Sequence, residues 1–546
     1  MKTADLLVSC LEAEGVDYVF GLPGEELEDL LFAMGDSTVD FVPVRHEQGA
    51  AFMADVHGRI TGDAGVCLST LGPGATNLLT GVADAHLDKS PLVAISGQGG
   101  RERLHQESHQ LIDVVEMFGP ITKWNTRLDD PDVVHESVRK AFKLAEHEKP
   151  GATHLELPED VAAADTEATA LEPTARHVHR PSPDPESVAE AVAVVRHADR
   201  PLVLAGNGAV RSRASEQLRS FVDQTDIPVV ATYMGKGAVS DRDDHSLMTL
   251  DSGSGEVDRV IERADAVVTV GYDIAEHDPE TWNPQSDKRI VHLDSEPAEV
   301  YEHYLPDVEM VCDVAAGIEA LCGADLDAID TDWYADLREN LVGQVTSEPT
   351  DDDPVTVANT LPLLRETMAD DDVLISDVGS HKMAIARSYP TYEPNSCLIS
   401  NGLATMGIAV PGAVSADVAL SGSSALSSDE STKPDSDGAG GPNVVAATGD
   451  GGFLMNAAEL ETARRLDCSF TVLLFVDDDY GLISEKQEEH RGESTGTLLE
   501  NPDFVTFAES FGVTAYRPET WDEVRTALDE AVDSDDLSLV EVQLDR

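Results

Sequence analysis

Along nearly the whole chain, short β-branched or apolar runs alternate with helix-length segments, and that alternation leaves few architectures open. Strand–helix–strand units close as parallel pairs with the helix against one face, so a long series builds parallel sheets covered on both sides. In a first block, Tyr18-Val19-Phe20, Val42-Pro43-Val44, Gly65–Ser69 and 92–96 read as strands. Amphipathic helices over 25–34 and Glu47–Thr61 lie between them. The block closes near His154-Leu155-Glu156-Leu157-Pro158. A second block opens at Pro201-Leu202-Val203-Leu204-Ala205-Gly206, continues through Pro228-Val229-Val230 and Ala266-Val267-Val268-Thr269-Val270-Gly271, and ends near Asp313. A third starts at Asp372-Val373-Leu374-Ile375. The expected fold is α/β, with three doubly wound parallel-sheet domains over 1–170, 186–330 and 355–546. A Pro- and charge-rich linker is expected at 170–186, and an acidic helical connector reaching 354. Within the third domain, Ser, Gly, Asp and Pro dominate 421–442, a composition that builds a flexible surface loop and no core.

The charge restricts the environment and the partners. The 546 residues carry 104 Asp+Glu against 37 Lys+Arg, a net charge of -67. The acids are spread through the chain, as in Asp351-Asp352-Asp353 and Asp370-Asp371-Asp372. In dilute buffer such a surface repels itself; in about 1 M salt the screening length falls to roughly 3 Å. A salt-rich cytoplasm, as in a halophilic microbe, is therefore expected. An apolar content of 41% excludes a disordered acidic protein. The lack of a basic stripe excludes nucleic acid and anionic membranes as partners. No apolar run reaches the roughly 18 residues of a membrane span, and Met1-Lys2-Thr3-Ala4-Asp5 reads as the start of an amphipathic helix rather than a signal peptide. Cys10, Cys67, Cys312, Cys322, Cys397 and Cys468 are scattered and read as buried free thiols.

The chemistry concentrates in 444–483. There a strand leads into the turn Gly449-Asp450-Gly451-Gly452, a helix follows over 456–465, and a second strand ends at Asp477-Asp478-Asp479 before Tyr480-Gly481. A βαβ unit brings both strand ends to one sheet edge, where ligands bind. It thereby gathers Asp450 and Asp477, 27 residues apart. Two carboxylates and a loop carbonyl suit a hard cation such as Mg²⁺, and the glycines allow close approach of a diphosphate. A Rossmann-like turn beside an incidental acidic loop has the same spacing, so this stretch alone leaves the choice open.

The stretch resembles the diphosphate motif of thiamine-diphosphate enzymes, with Val476 where that family usually has Asn. The resemblance implies that Asp450, Asp477 and the carbonyl of Asp479 hold Mg²⁺, with Gly449, Gly451, Gly452 and Tyr480 around the diphosphate. Arg45-His46-Glu47-Gln48-Gly49-Ala50-Ala51 is similar to the segment whose Glu bonds N1′ of the cofactor's aminopyrimidine, which makes Glu47 the activating acid. Leu71-Gly72-Pro73-Gly74-Ala75-Thr76-Asn77 and Phe20-Gly21-Leu22-Pro23-Gly24 resemble two further family segments, bringing in Gly72, Pro73 and Asn77. Gly379, Ser380 and His381 match a diphosphate-binding turn. Gly402, Ala404 and Met406 match the segment that cradles the cofactor, with Met406 the prop between its rings. The three domains would then be the pyrimidine-binding, central and diphosphate-binding domains.

Within the family the chain is most similar to acetolactate synthases, large subunit, of the catabolic type that lacks FAD. The run Gly271-Tyr272-Asp273-Ile274-Ala275-Glu276-His277-Asp278-Pro279 carries that likeness, and the flavin-site segments of the biosynthetic type are missing. FAD is accordingly not expected. Ser108-His109-Gln110 and Pro120-Ile121-Thr122-Lys123 resemble substrate-side segments, making Gln110 and Lys123 candidates for contact with an anionic 2-oxo acid. Lys486 stands where the biosynthetic type carries the Trp that selects 2-oxobutyrate, which favours pyruvate as acceptor. The resemblance implies decarboxylation of pyruvate and joining of its two-carbon unit to a second 2-oxo acid. It also implies a homodimer or homotetramer with active sites at the subunit interface. A 2-oxo acid decarboxylase or aldehyde lyase of the same family is the alternative. A noncatalytic ligand-binding homologue is disfavoured by the presence of Glu47, Asp450 and Asp477, and a Rossmann dehydrogenase is a remote third reading.

Overall fold

A computed structural model describes residues 1–173, 180–250, 255–324, 326, 328–329, 332–421 and 441–545. It contains three six-stranded sheets, in which every strand pair is parallel. The first is built from β1 (Tyr18–Gly21), β2 (Asp40–Pro43), β3 (Gly65–Ser69), β4 (Leu92–Gln98), β5 (Trp124–Arg127) and β6 (Ala152–Pro158). The second has β7 (Pro201–Ala205), β8 (Val229–Ala231), β9 (Ser246–Thr249), β10 (Ala266–Val270), β11 (Arg289–Asp294) and β12 (Val308–Val311). The third has β13 (Val373–Ser376), β14 (Cys397–Ile399), β15 (Val444–Gly449), β16 (Thr471–Val476), β17 (Thr514–Tyr516) and β18 (Ser538–Gln543).

The strand orders are β2-β1-β3-β4-β6-β5, β12-β11-β10-β7-β8-β9 and β14-β13-β15-β16-β18-β17. The first and third sheets thus share one topology, and the central sheet has the order of a dinucleotide-binding fold. Inner strands such as β4, β6 and β16 are buried at every position, as expected of parallel strands covered on both faces. The outer domains also share a core, in which Phe52 and Val56 of the helix Glu47–Thr61 join Val410 and Val414 of the helix Ala409–Ser421. Each such side chain contributes about 1.5–3 kcal/mol by its removal from water, so the two domains are bound by their apolar interiors.

Two local expectations change. Gly449-Asp450-Gly451-Gly452 does not form a free turn: a helix begins at Asp450 and runs to Asn456, and a second follows over Glu459–Arg465. Of the loop expected at 421–442, all but Ser421, Gly441 and Pro442 lies outside the described residues, as do 174–179 of the linker. All six cysteines are free, and all but the half-buried Cys322 are buried. Among the described residues no helix is long and apolar enough to cross a membrane.

Candidate active site

In the third sheet the chain passes from β13 to β14 on one side and then to β15 on the other, leaving a crevice beyond the β13 and β15 ends. A cleft of about 190 Å³ occupies it. Gly379, Ser380 and His381 enter after β13, Ala404 and Met406 after β14, Gly449 through Gly452 after β15, and Asp477, Asp479 and Tyr480 after β16. Residues distant in sequence therefore converge because four successive strand ends open on one edge.

Each acid is held in place. Asp450 is 2% exposed. Its Oδ1 accepts from Gly451 N at 2.8 Å, and its Oδ2 from Asp478 N at 2.9 Å and Asn501 Nδ2 at 2.7 Å. Burial raises its pKa, so the ionised form needs these donors or a cation. Asp477 Oδ1 accepts from Asp479 N at 3.2 Å. Asp479 Oδ2 accepts from Ser484 Oγ at 2.6 Å, while its Oδ1 is buried without a partner. Among the described residues no three His, Cys, Asp or Glu side chains converge on a metal position; the expected set has two carboxylates and a backbone carbonyl.

Two features of the cleft suit a diphosphate. His381 is 4% exposed, burial pushes its pKa down to about 4, and its Nε2 is buried without a hydrogen-bond partner. The ring leaves one nitrogen free, and in the tautomer that places the proton on Nε2 it donates to an anionic oxygen. A Cβ on Gly451 would stand 2.7 Å from the Tyr480 ring, so only glycine leaves the cleft open there. Behind them lies Asp377, which the sequence did not single out. It accepts from Val378 N and Gly407 N, both at 2.7 Å, and from Thr448 Oγ1 at 3.1 Å, with burial pushing its pKa up to about 6. Asn456 Nδ2 grips the carbonyl of Gly407 at 2.8 Å, so Met406 is fixed from both sides of its neighbour.

The first domain carries a second group. Glu47 opens the helix Glu47–Thr61, whose N-cap is His46. Its carboxylate is 4% exposed, and Asn77 Nδ2 donates to Oε2 at 2.9 Å. Gly72 has φ 47 and lies against Gln110: a Cβ there would meet the Gln110 carbonyl at 2.2 Å. Pro73 begins the helix that carries Asn77. Glu47, Gly72, Pro73, Asn77 and Gln110 are thus neighbours, and none of them lines the third-domain cleft of the same chain. A carboxylate from the third domain fixes the approach to Glu47, since Glu459 Oε1 accepts from Arg45 N and His46 N, each at 3.0 Å.

Two expected residues join neither group. Lys123 Nζ donates to the carbonyls of His147 and Lys149, each at 2.6 Å, and lines a separate cleft of about 260 Å³. Gly402 lies outside the cofactor cleft, its N–H directed to the Asp88 carboxylate of the first domain. Glu459 and Asn501 act through backbone donors or distant acids and carry no local motif, which is why only the structure finds them; Asp377 stands two residues before the Gly379-Ser380-His381 turn, a position that could have drawn attention to it.

Three family models match the chain: the thiamine pyrophosphate enzyme N-terminal TPP binding domain over residues 1–117, the central domain over 188–321, and the C-terminal TPP binding domain over 377–542. The acetolactate synthase of Bacillus subtilis (strain 168) is 32% identical, with 100% of this chain and 93% of the relative covered. A probable acetolactate synthase large subunit of Methanocaldococcus jannaschii is 33% identical, with 100% and 92% covered. The catabolic acetolactate synthase of Raoultella terrigena is 32% identical, with 99% and 95% covered.

Proposed function

The chain belongs to the thiamine pyrophosphate enzymes and, among them, to the acetolactate synthases, and from that premise we propose that it condenses two molecules of pyruvate to 2-acetolactate and CO₂, using thiamine diphosphate and Mg²⁺ and no flavin. The observation that carries the cofactor assignment is the convergence of twelve expected residues on one cleft that contains the unpartnered His381 Nε2. When bound, thiamine diphosphate supplies a nucleophilic carbon and an electron sink. The protein's share is binding, orientation and proton control. Asp450, Asp477 and the carbonyl of Asp479 would hold Mg²⁺, a set of hard oxygen donors. His381 and the Gly449–Gly452 backbone would receive the diphosphate, and Met406 would hold the rings apart.

Glu47 would hold the proton at N1′ of the aminopyrimidine, its carboxylate fixed by Asn77. Gln110, beside Gly72, would face the 2-oxo acid. Lys123 is assigned no part, since two carbonyls already take up its ammonium. The absence of the Glu47 group from the cleft of its own chain supports a site closed between two copies, a homodimer or a tetramer. Water must be kept from the joined site, because protonation of the two-carbon unit diverts it to acetaldehyde. The flavin is omitted on the similarity of the 271–279 run to the catabolic type. The test is activity on pyruvate with each component omitted in turn, in about 2 M KCl to screen the acidic surface. Activity that needs thiamine diphosphate and Mg²⁺ but is indifferent to FAD supports the proposal, whereas a requirement for FAD overturns its flavin-free part.

A further inference from the structure

The order of the central sheet reverses between β7 and β10. The crevice beyond such a reversal is where the phosphates of a nucleotide ordinarily lie. Here the chain fills it from within. Glu276 is 8% exposed and turns its carboxylate back onto the strand ends. Asn207 N donates to both oxygens at 3.0 Å, Asp273 N to Oε1 at 3.1 Å, and Thr232 Oγ1 to Oε2 at 2.5 Å. The remaining gap is closed by backbone packed on backbone. Gly208 N donates to the Gly271 carbonyl at 2.7 Å, and a Cβ on Gly208 would stand 2.5 Å from Gly271 Cα. The glycines after β7 and β10 thus serve each other and close the strand ends themselves, while a cleft of about 420 Å³ remains beside Asn207, Arg211 and Lys236.

The hydrogen bonds around Glu276 continue into a closed circuit. Asn207 Nδ2 donates to the carbonyl of Asp88 at 2.9 Å. The Asp88 carboxylate accepts from Asn401 N at 3.3 and 3.2 Å, and from Gly402 N. Asn401 Nδ2 in turn donates to the carbonyl of Glu276 at 3.0 Å. Asp88 belongs to the first domain, Asn207 and Glu276 to the central one, and Asn401 to the third, so the ring joins all three at one point. That point immediately precedes Ala404 and Met406, which line the cofactor cleft.

We propose that the Glu276 carboxylate stands in for an anionic ligand of the central domain and, through Asn401, positions the turn that carries Ala404 and Met406 into the cofactor cleft. Glu276 is a positioning residue and touches neither cofactor nor substrate. The inference rests on the flavin-free reading and supplies its physical basis: the donors a nucleotide phosphate would engage are already satisfied.

The test uses the full chain and the variants Glu276→Gln, Glu276→Ala, Asn401→Ala and the double alanine variant. The readouts are the thiamine diphosphate concentration for half-activation, kcat and KM for pyruvate, and retention of FAD and ADP on ultrafiltration. Wild type is expected to retain neither nucleotide. Glu276→Ala should raise the half-activation concentration about tenfold, Glu276→Gln, which keeps one acceptor oxygen, about twofold, and both should leave KM for pyruvate nearly unmoved. Asn401→Ala should reproduce the alanine effect, and the double variant should add nothing to it, because both substitutions cut the same circuit. Should Glu276→Ala fail to fold, Glu276→Gln and Asn401→Ala carry the comparison. Unchanged half-activation, or fully additive effects, with no nucleotide retained by wild type overturns the inference alone. Stoichiometric FAD on wild type overturns both it and the flavin-free reading.

Discussion

Glu47 and Asn77 set the expectation at the residue scale. With Oε2 held at 2.9 Å and the side chain 4% exposed, Glu47→Gln keeps shape and packing but loses the ionisable proton. It should lower kcat roughly 10²- to 10⁴-fold, while thiamine diphosphate binding, followed by calorimetry, changes little. A second prediction concerns His154, fully buried on β6, bonded to Ser96 Oγ at 2.8 Å and stacked on Phe118. Burial alone pushes its pKa down to about 3. The unfolded chain therefore takes up this proton below the ordinary histidine range while the folded chain does not, so stability at this site is complete above about pH 6.5 and is lost as pH falls toward 3. Denaturant unfolding of wild type against His154→Gln should show wild type losing on the order of 4 kcal/mol relative to the variant across that window. A constant difference would mean that the ring is not neutral in the fold.

Among the elements, the helix Glu47–Thr61 was legible to its end residues: a strand before it, an acid at its start and an apolar face mark it out. What the sequence does not reveal is how its start is held. Glu459, 1% exposed and on a helix more than 400 residues away, caps Arg45 N and His46 N, and a Cβ on Gly49 would stand 2.7 Å from its Oε1. Glu459→Ala should cost about 2–4 kcal/mol in urea unfolding by leaving buried donors unpaired, and Gly49→Ala about 1–3 kcal/mol by overpacking. Neutral stability in both would show that the cap does not hold the two domains. Glycines ordinarily break helices, so Gly449–Gly452 suggests a turn in sequence; in the fold the helix begins at Asp450, and Gly451 clears space beside Tyr480. β5, β9, β12, β14 and β17 are not marked by the sequence because three or four residues give little periodicity, and the six-residue β11 and β18 also go unmarked.

For the whole molecule, charge and assembly decide behaviour. A net charge of -67 repels itself in dilute buffer, whereas the ion cluster of Arg59 with Asp55 at 2.7 Å and Asp88 at 2.8 Å is buried beyond the reach of screening. The melting temperature should therefore climb as KCl rises from about 0.1 to about 3 M, and a flat response would refute the expectation of a salt-rich setting. The three-domain order was legible because alternation of strand and helix repeats throughout; the likeness between the outer sheets, β2-β1-β3-β4-β6-β5 and β14-β13-β15-β16-β18-β17, was not, since topology leaves no sequence period. If Glu47 and Asp450 serve one site from two copies, Glu47→Gln and Asp450→Ala proteins, inactive apart, should regain about a quarter of wild-type activity when reassembled together. No regain would put both groups in one chain.

The most direct test is the identity of the product formed from pyruvate by the purified protein, with thiamine diphosphate and Mg²⁺ in about 2 M KCl. The account predicts one 2-acetolactate and one CO₂ for every two pyruvates consumed. Acetaldehyde as the sole product, or cofactor binding without turnover of pyruvate, would contradict it and transfer the same cleft to a different 2-oxo acid reaction.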